Sequence, residues 1–168
     1  MDIKTFRKKL NEVTSESRPY EHVKVIDSLK KVYPHKLRLV SPLMGGDDCF
    51  LYVFREKLPS ADLVKFDKAI TDRPDVFKEI GQKLISNGFL SLHDEKREGD
   101  EVVVYLENGD AEHFGKIVGD EFESKWGIGY AWRHGLLEVP LSYGRTLKFS
   151  DGKIDIGVLR EILKQIDI

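Results

Sequence analysis

The segment HFGKIVGDEFESKW, residues 113–126, constrains the fold more than any other stretch of this sequence. Two β-rich runs flank Gly119-Asp120, a pair of residues that suits the tight turn of a two-residue hairpin. If the loop contains only these two residues, Val118 pairs with Glu121. The pairing of all residues farther from the turn on the two strands is then fixed as well. The segment therefore predicts an antiparallel hairpin with a defined register.

Side chains alternate between the two faces of a sheet, so this register assigns each residue of the hairpin to a face. His113 and Ser124 fall on the same, otherwise apolar face, and we expect them to be diagonal neighbours near the end of the sheet. The opposite face is predicted to be charged and wet, with Phe114, Lys116, Val118, Glu121, Glu123 and Lys125. A one-residue bulge would instead turn Glu123 or Lys125 inward.

Helical periodicity dominates the first half of the chain and β-rich segments dominate the second. Helices are predicted near residues 3–13, 22–33 and 72–87, from Asp48 or Cys49, and from 156 to the C-terminal region. Strands are predicted at 102–106, 113–118, 121–126 and 145–150. The segment 59–74 cannot be assigned to a helix or a strand from its sequence pattern. This order predicts an α+β fold, with N-terminal helices packed on a small antiparallel sheet.

The composition is that of one globular domain, since 40% of the 168 residues are hydrophobic and 33% are charged. We expect a helical region at 1–44, a core at 45–150 and a final helix at 151–168. A formal net charge of −2 and the lack of a basic stripe argue against a nucleic-acid partner. No stretch resembles a signal peptide or a membrane span, so we expect a cytoplasmic protein without a membrane partner.

The only cysteine, Cys49, follows two glycines and two aspartates in GGDDCFLYVF. Asp47 or Asp48 can cap a helix that starts here, because a carboxylate accepts the unpaired amides of a first turn. A helix N-terminus lowers the pKa of a thiol, which favours the interpretation of Cys49 as a nucleophile. The alternative is a small buried core residue, since free cysteine is among the most buried residue types.

A thiol nucleophile needs a base, and His113 differs from the other histidines because it opens a predicted strand. His22 and His35 are predicted at the surface, His93 in a charged loop, and His134 in a loop or a packing position. No cluster of side chains has the spacing of metal ligands, and a single cysteine excludes a paired-cysteine site. We therefore expect no metal and no cofactor.

The segment REGDEVVVYLENGDAEHFGKIVGDEF resembles the C-terminal half of NlpC/P60 and CHAP domains of the papain-like cysteine peptidase superfamily. Those domains have a Gly-Asp pair that opens a strand, as Gly99-Asp100 does here, and a histidine that begins the next strand, as His113 does. An Asp-Cys pair opens a helix upstream, as Asp48-Cys49 does. The tail from residue 124 to 144, with Ser-Lys-x-Gly and a late Tyr-Gly, is similar to uncharacterised bacterial and phage papain-like domains.

The resemblance covers roughly residues 45–149, so the helices of residues 1–33 have no counterpart. Members of the family usually have small residues after the cysteine, where this chain has Phe50 and Leu51. Their third catalytic position is a polar residue on the strand after the histidine, and Ser124 is the best match, with Glu123 as the alternative if a bulge occurs.

The resemblance implies a thiol hydrolase or acyltransferase that acts on an amide or thioester of a protein or peptide-like substrate. Cys49 would attack the carbonyl carbon, His113 would carry the proton and Ser124 would orient the ring. The Cys49 amide and a donor from residues 43–47 could hold the oxyanion. Further candidates for the cleft or oxyanion site are Gly46, Asp48, Trp126 and Tyr143. The alternative is a catalytically idle papain-like module that binds a partner in a phage or defence system.

Overall fold

A computed structural model of the chain describes residues 1–16, 18–41, 48–73, 75–127 and 129–166. The helices within these ranges are α1 (Ile3–Glu16), α2 (Pro19–Leu29), α3 (Cys49–Phe54), α4 (Ser60–Asp72), α5 (Val76–Ser86) and α6 (Ile156–Gln165). The strands are β1 (Arg38–Ser41), β2 (Val102–Glu107), β3 (Asp110–Val118), β4 (Glu121–Lys125), β5 (Ala131–His134) and β6 (Thr146–Ser150). The predicted α+β class is confirmed. Among the described helices, none combines the length and apolar character needed to cross a membrane.

The strands form one antiparallel sheet in the order β1-β5-β4-β3-β2-β6. The register predicted for the β3–β4 hairpin is confirmed, because Val118 pairs with Glu121 and Lys116 with Glu123. Gly119 has a φ of +64°, the left-handed conformation that a tight turn of this kind requires. His113 and Ser124 therefore belong to the same face of the sheet, as predicted.

A bulge lies in β3, beside His113 rather than in β4. His113 pairs with Tyr105 of β2, whereas the next pair joins Ala111 to Leu106, which leaves Glu112 as the extra residue. Bulges increase the local twist and redirect side chains, and they are common next to functional sites. The strand that carries His113 is therefore regular with respect to β4 but distorted just before the histidine.

Helices cover both faces of the sheet. On one face, helices α3 to α6 pack against Val104, Leu106 and Phe114. On the other face, α1 and α2 pack against Val103 and Tyr105. The alternation along β2 thus divides the interior into two cores, one on each side of the sheet.

The prediction that the second face of the hairpin would be wet is wrong for Phe114, Glu123 and Lys125, which are all buried. Glu123 accepts a hydrogen bond from Tyr52 of α3 and forms an ion pair of 2.6 Å with Arg133. Lys125 donates to the carbonyl of Gly129 at 3.1 Å. Buried charges are tolerated when they are paired in this way, and α3 could not be placed on this face from the sequence.

Several element boundaries differ from the predictions. Helix α2 starts at Pro19 and ends at Leu29, whereas the sequence predicts a helix near residues 22–33, so Val32 lies beyond the helix and is 55% exposed. The unassigned segment forms α4, and α5 starts at Val76 instead of near residue 72. Strands β1 and β5 were not predicted, because each has only four residues and includes polar side chains.

Candidate functional site

Cys49 is the first residue of α3, as predicted. The preceding Asp48 is the N-cap, and its carboxylate accepts a hydrogen bond from the amide of Leu51 at 2.8 Å. The Cys49 side chain is only 5% exposed. The Asp-Cys pair therefore opens a helix, and this helix buries the thiol against the sheet.

The sulfur of Cys49 reaches β3 at a place where the sheet is open. Its contact is the backbone amide of Phe114, which hydrogen-bonds to the thiolate form. The last residue pair between β3 and β4 is Lys116 with Glu123, so Phe114 lies beyond the paired part of the hairpin. Phe114 directly follows His113, so the sulfur lies at the part of β3 that carries the histidine, while the side chains of Phe114 and His113 point to opposite faces of the sheet.

The prediction that the helix N-terminus would lower the pKa of Cys49 is wrong, because the sum of all contributions raises this pKa. Burial raises the pKa of the Cys49 thiol well above its usual value, and the charge of Asp48 raises it further. The amides of Phe114, Cys49 and Phe50 favour the thiolate but are outweighed. Desolvation disfavours a charged sulfur more than one short helix stabilises it, so the resting group is the protonated thiol.

His113 is buried on the face of the sheet that packs against α1 and α2, and it is 2% exposed. Its Nε2 atom has no hydrogen-bond partner among the described residues. Burial lowers the pKa of His113 well below its usual value, and the nearby His134 contributes in the same direction. The imidazole is therefore neutral at pH 7. A buried polar atom without a partner among the described residues is unusual in a folded protein.

Tyr143 joins these two groups. Its ring stacks on the His113 ring, with centroids 3.9 Å apart and planes inclined by 18°. Burial raises the pKa of the Tyr143 phenol, and the interaction with Cys49 raises it further, while the Gly127 amide acts in the opposite sense. One tyrosine thus stacks on the histidine and lies close enough to Cys49 for a thiolate there to disfavour ionisation of the phenol.

Ser124 lies on the face of His113, but its hydrogen bonds run to His134 and Trp126. Its Oγ is 2.9 Å from Nε2 of His134 and 3.1 Å from Nε1 of Trp126. The other ring nitrogen of His134 is 2.9 Å from the carbonyl of Gly135, so that nitrogen carries the proton. Burial lowers the pKa of His134 to about 4, which keeps the ring neutral. Ser124 must therefore accept from Trp126 and donate to His134.

The role of Ser124 in orienting His113 stays a prediction. In the structure, the Ser124 hydroxyl donates its hydrogen bond to His134 instead. Glu123, the alternative orienter, lies on the opposite face with Tyr52 and Arg133. That alternative required a bulge in β4, and the regular β3–β4 register contradicts it. His134, predicted in a loop or packing position, is a fully buried residue of β5.

Replacing Ser124 with alanine is expected to lower the free energy of unfolding by about 1–3 kcal/mol, because it leaves Trp126 Nε1 and His134 Nε2 buried and unpaired. Urea unfolding measures this difference. Ser28→Ala on the exposed side of α2 is the matched control and should change stability by no more than about 0.5 kcal/mol. Equal midpoints for the two variants would contradict the assigned network.

Arg7 of α1 holds the segment that carries Tyr143, and no sequence signal indicated this role. Its guanidinium donates to the carbonyls of Val139 at 3.1 Å and Pro140 at 3.4 Å, and also to that of Gly144. The side chain is 5% exposed, and burial lowers the pKa of Arg7. Three carbonyls from one short segment therefore surround a buried cation, which fixes the 3₁₀ turn Leu141–Tyr143 against the sheet.

The remaining predicted residues are placed as follows. Trp126 is buried, stacks on Trp132 at 5.5 Å and meets Tyr143 edge-on at 6.5 Å. Gly46 and the loop of residues 43–47 lie outside the described residues. His22, predicted at the surface, is 3% exposed, because it lies four residues before the buried Ile26 on the inward face of α2.

His35, also predicted at the surface, is half-buried and stacks on Phe6 at 5.2 Å. His93 pairs with Asp100 at 2.8 Å. Among the described residues, no three His, Cys, Asp or Glu side chains form a group that could hold a metal ion.

Comparison with known proteins identifies no relative of this chain. No family model matches the chain, and neither the curated proteins nor the solved structures contain a match. In its described part, the chain has an α+β fold with a six-stranded antiparallel sheet.

Proposed function

We propose that this protein is a papain-like thiol hydrolase or acyltransferase that acts on an amide or thioester through Cys49 and His113. The observation that carries the proposal is the position of Tyr143, which stacks on His113 and lies close enough to Cys49 for a thiolate there to raise the pKa of the phenol. The unpaired Nε2 of His113 supports it, because a base must have a free lone pair. Acyl transfer needs a nucleophile and a base that come within hydrogen-bond reach during the reaction, and the proposal assigns these roles to Cys49 and His113.

The arrangement of elements supports the papain-like interpretation. The cysteine opens a helix that packs on the sheet, and the histidine lies near the start of the first strand of the next hairpin. Helices α1 and α2 are additions on the face that carries His113, which is opposite to α3, and α1 contributes Arg7. The helix start at Cys49 and the position of His113 on the following hairpin agree with what the resemblance implies, and they support the proposal of a papain-like fold.

The two pKa values decide how the first step proceeds. Because the thiol pKa is raised and the imidazole pKa is lowered, both groups are neutral before reaction. Proton transfer must then accompany attack. The sulfur forms a bond to the carbonyl carbon, its proton passes to His113, and the carbonyl electron pair moves to oxygen. Collapse breaks the bond to the amine or thiol, which leaves with the proton from His113.

The resulting acyl-enzyme is resolved by water or by another nucleophile, with His113 again taking and returning the proton. Two donors could stabilise the oxyanion. The Cys49 amide lies in the first turn of α3, where amides lack helical partners. The Tyr143 hydroxyl keeps its proton because its pKa is raised. Both can donate to a negative oxygen next to the sulfur.

Intact-mass spectrometry after incubation with a benzyl thioester tests the proposal. We expect one acyl adduct per chain with release of benzyl thiol, and the site is unambiguous because the chain has one cysteine. Cys49→Ala should form no adduct. Protein unfolded in urea, where the thiol has no base, is the matched control and should react more slowly at pH 7. Equal or faster reaction of the unfolded chain would overturn the proposal.

The alternative is an idle papain-like binding module. It is favoured by the burial of Cys49 and by two apolar side chains on the edge strand β1, Leu39 and Val40, which are 39% and 41% exposed. An edge strand can add a strand from a partner. If folded protein resists both the thioester and iodoacetamide, and if Cys49→Ala retains its biological effect, this alternative holds.

A further inference from the structure

Arg7 of α1 is a buried cation that, within the described part of the chain, hydrogen-bonds to main-chain carbonyls. It donates to Val139 at 3.1 Å, to Pro140 at 3.4 Å and to Gly144. Desolvation offsets much of what a buried charge gains from such bonds, so a well-packed apolar side chain could stabilise the fold about as well. The planar guanidinium adds direction, because its donors point along fixed lines. The contact therefore specifies geometry more than it adds stability.

A second residue of α1 reaches the same segment. The Asn11 side-chain oxygen accepts a hydrogen bond from the amide of Ser142 at 3.2 Å. Asn11 lies four residues after Arg7, about one helical turn, so both side chains leave the same side of α1. Ser142 directly precedes Tyr143, and Gly144 directly follows it. The contacts from α1 therefore hold the chain immediately before and immediately after the tyrosine.

Strand β2 holds the other side of this segment. Gly144 has a φ of +115°, and a Cβ added there would lie 2.6 Å from the carbonyl oxygen of Leu106. The amide of Arg145 donates to the same oxygen at 2.9 Å. Because the segment already touches the strand, it cannot move closer to β2. The backbone that carries Tyr143 is thus fixed between β2 and α1.

The place of the Tyr143 side chain depends on this backbone. Its ring lies against His113 with centroids 3.9 Å apart, and the Gly127 amide lies where it can donate to the phenol oxygen. The hydroxyl hydrogen then remains for another acceptor, which in the proposed reaction is the developing oxyanion. A donor helps only if it is aimed at the place where the charge appears, and an error of about 1 Å costs on the order of a hundredfold in rate.

We propose that Arg7 is a positioning residue for acyl transfer, and that it acts by holding the Tyr143 hydroxyl in line with the oxyanion that forms next to Cys49. This inference rests on the proposed function and adds to it a dependence on the N-terminal helix α1. The guanidinium faces the carbonyls of residues 139–144. Its effect on the reaction therefore passes through that segment.

A double-mutant cycle on the benzyl thioester reaction tests this inference. Arg7→Lys keeps a positive charge, but one ammonium group cannot bond to three separate carbonyls in the fixed pattern of a guanidinium. We expect the maximal acylation rate constant to fall about tenfold to a hundredfold, with little change in the thioester concentration at half-maximal rate, because the hydroxyl acts on the transition state. In a Tyr143→Phe background, which has no hydroxyl to position, Arg7→Lys should slow the reaction less than about twofold.

Two further variants separate positioning from a general loss of folding. Asn11→Ala removes one exposed hydrogen bond, so it should fold even if Arg7→Lys does not. It should slow acylation by roughly two- to tenfold, the equivalent of one hydrogen bond, and only when the Tyr143 hydroxyl is present. Arg145→Lys is the matched control, because it makes the same exchange two residues from Tyr143 on a side chain that is 74% exposed. It should leave the rate unchanged.

NMR spectra of protein labelled at histidine report on the same contact without turnover. The Tyr143 ring shifts the ring protons of the stacked His113 upfield, and Arg7→Lys should move these signals toward those of an unstacked histidine, whereas Arg145→Lys should not. Equal slowing by Arg7→Lys in the wild-type and Tyr143→Phe backgrounds, or wild-type rates in Arg7→Lys, would overturn the inference. A wild type that forms no adduct would instead overturn the proposed function, and the spectra would still decide whether Arg7 holds Tyr143.

Discussion

Replacing His113 with glutamine is expected to slow acylation of Cys49 by about a hundred- to ten-thousand-fold, which is the usual contribution of a positioned general base. Glutamine fills a similar space beside Tyr143 but cannot take a proton at neutral pH. The effect should be large here because burial raises the pKa of the Cys49 thiol, so almost no thiolate exists without assistance. The reaction of the variant then depends on hydroxide.

The rate constant for adduct formation with the benzyl thioester, measured between pH 6 and 9, checks this prediction. The His113→Gln rate should rise about tenfold per pH unit, because each unit increases the thiolate fraction by that factor. The wild-type rate should change less over the same range. His93→Gln, which alters a histidine paired with Asp100 away from Cys49, is the control and should react as the wild type does. Wild-type rates in His113→Gln would show that His113 is not the base.

Acidification is expected to remove on the order of 3 kcal/mol of folding free energy through His134 alone between pH 7.5 and pH 4. The folded-state pKa of His134 is lowered to about 4, against about 6.5 in an unfolded chain. Between these two pKa values, His134 is therefore protonated in the unfolded chain but not in the folded one. The stability contribution is fully present above pH 6.5 and is lost as the pH falls through 4. His113, whose pKa is also lowered by burial, adds to the loss.

Urea unfolding at pH 7.5, 6.5, 5.5 and 4.5 measures this dependence. His134→Gln removes one titrating group, so its unfolding free energy should fall less steeply with pH, by an amount that approaches one proton between pH 6 and 4.5. The comparison uses slopes, because the substitution also disturbs the bond to Ser124 and changes the absolute stability. Identical slopes would mean that His134 is protonated in the folded state.

The hairpin register could be predicted because it depends on local chemistry. Gly119-Asp120 permits one tight turn, and the alternation of side chains then places His113 and Ser124 on one face. The placement of Cys49 could be predicted for the same reason, since an aspartate directly before it caps the helix. Both features are set by residues adjacent in sequence.

The environment of these residues depends on contacts between distant segments. Glu123 looks like a solvent-facing strand residue, and only the Tyr52 hydroxyl and Arg133 make its burial acceptable. Cys49 has the local features of an activated thiol, yet burial against the sheet reverses the direction of its pKa shift. The alternating pattern identifies a face, but it does not identify which helices cover that face.

The hydrogen bonds from Arg7 to the segment 139–144 also limit how early during synthesis this part of the protein can fold. The hydrogen bonds span 132, 133 and 137 residues of chain, so the tyrosine beside the thiol cannot be locked in place until residue 144 has emerged from the ribosome. Loss of the Arg7 side chain would remove all three hydrogen bonds at once and leave the segment that carries Tyr143 without its anchor on α1.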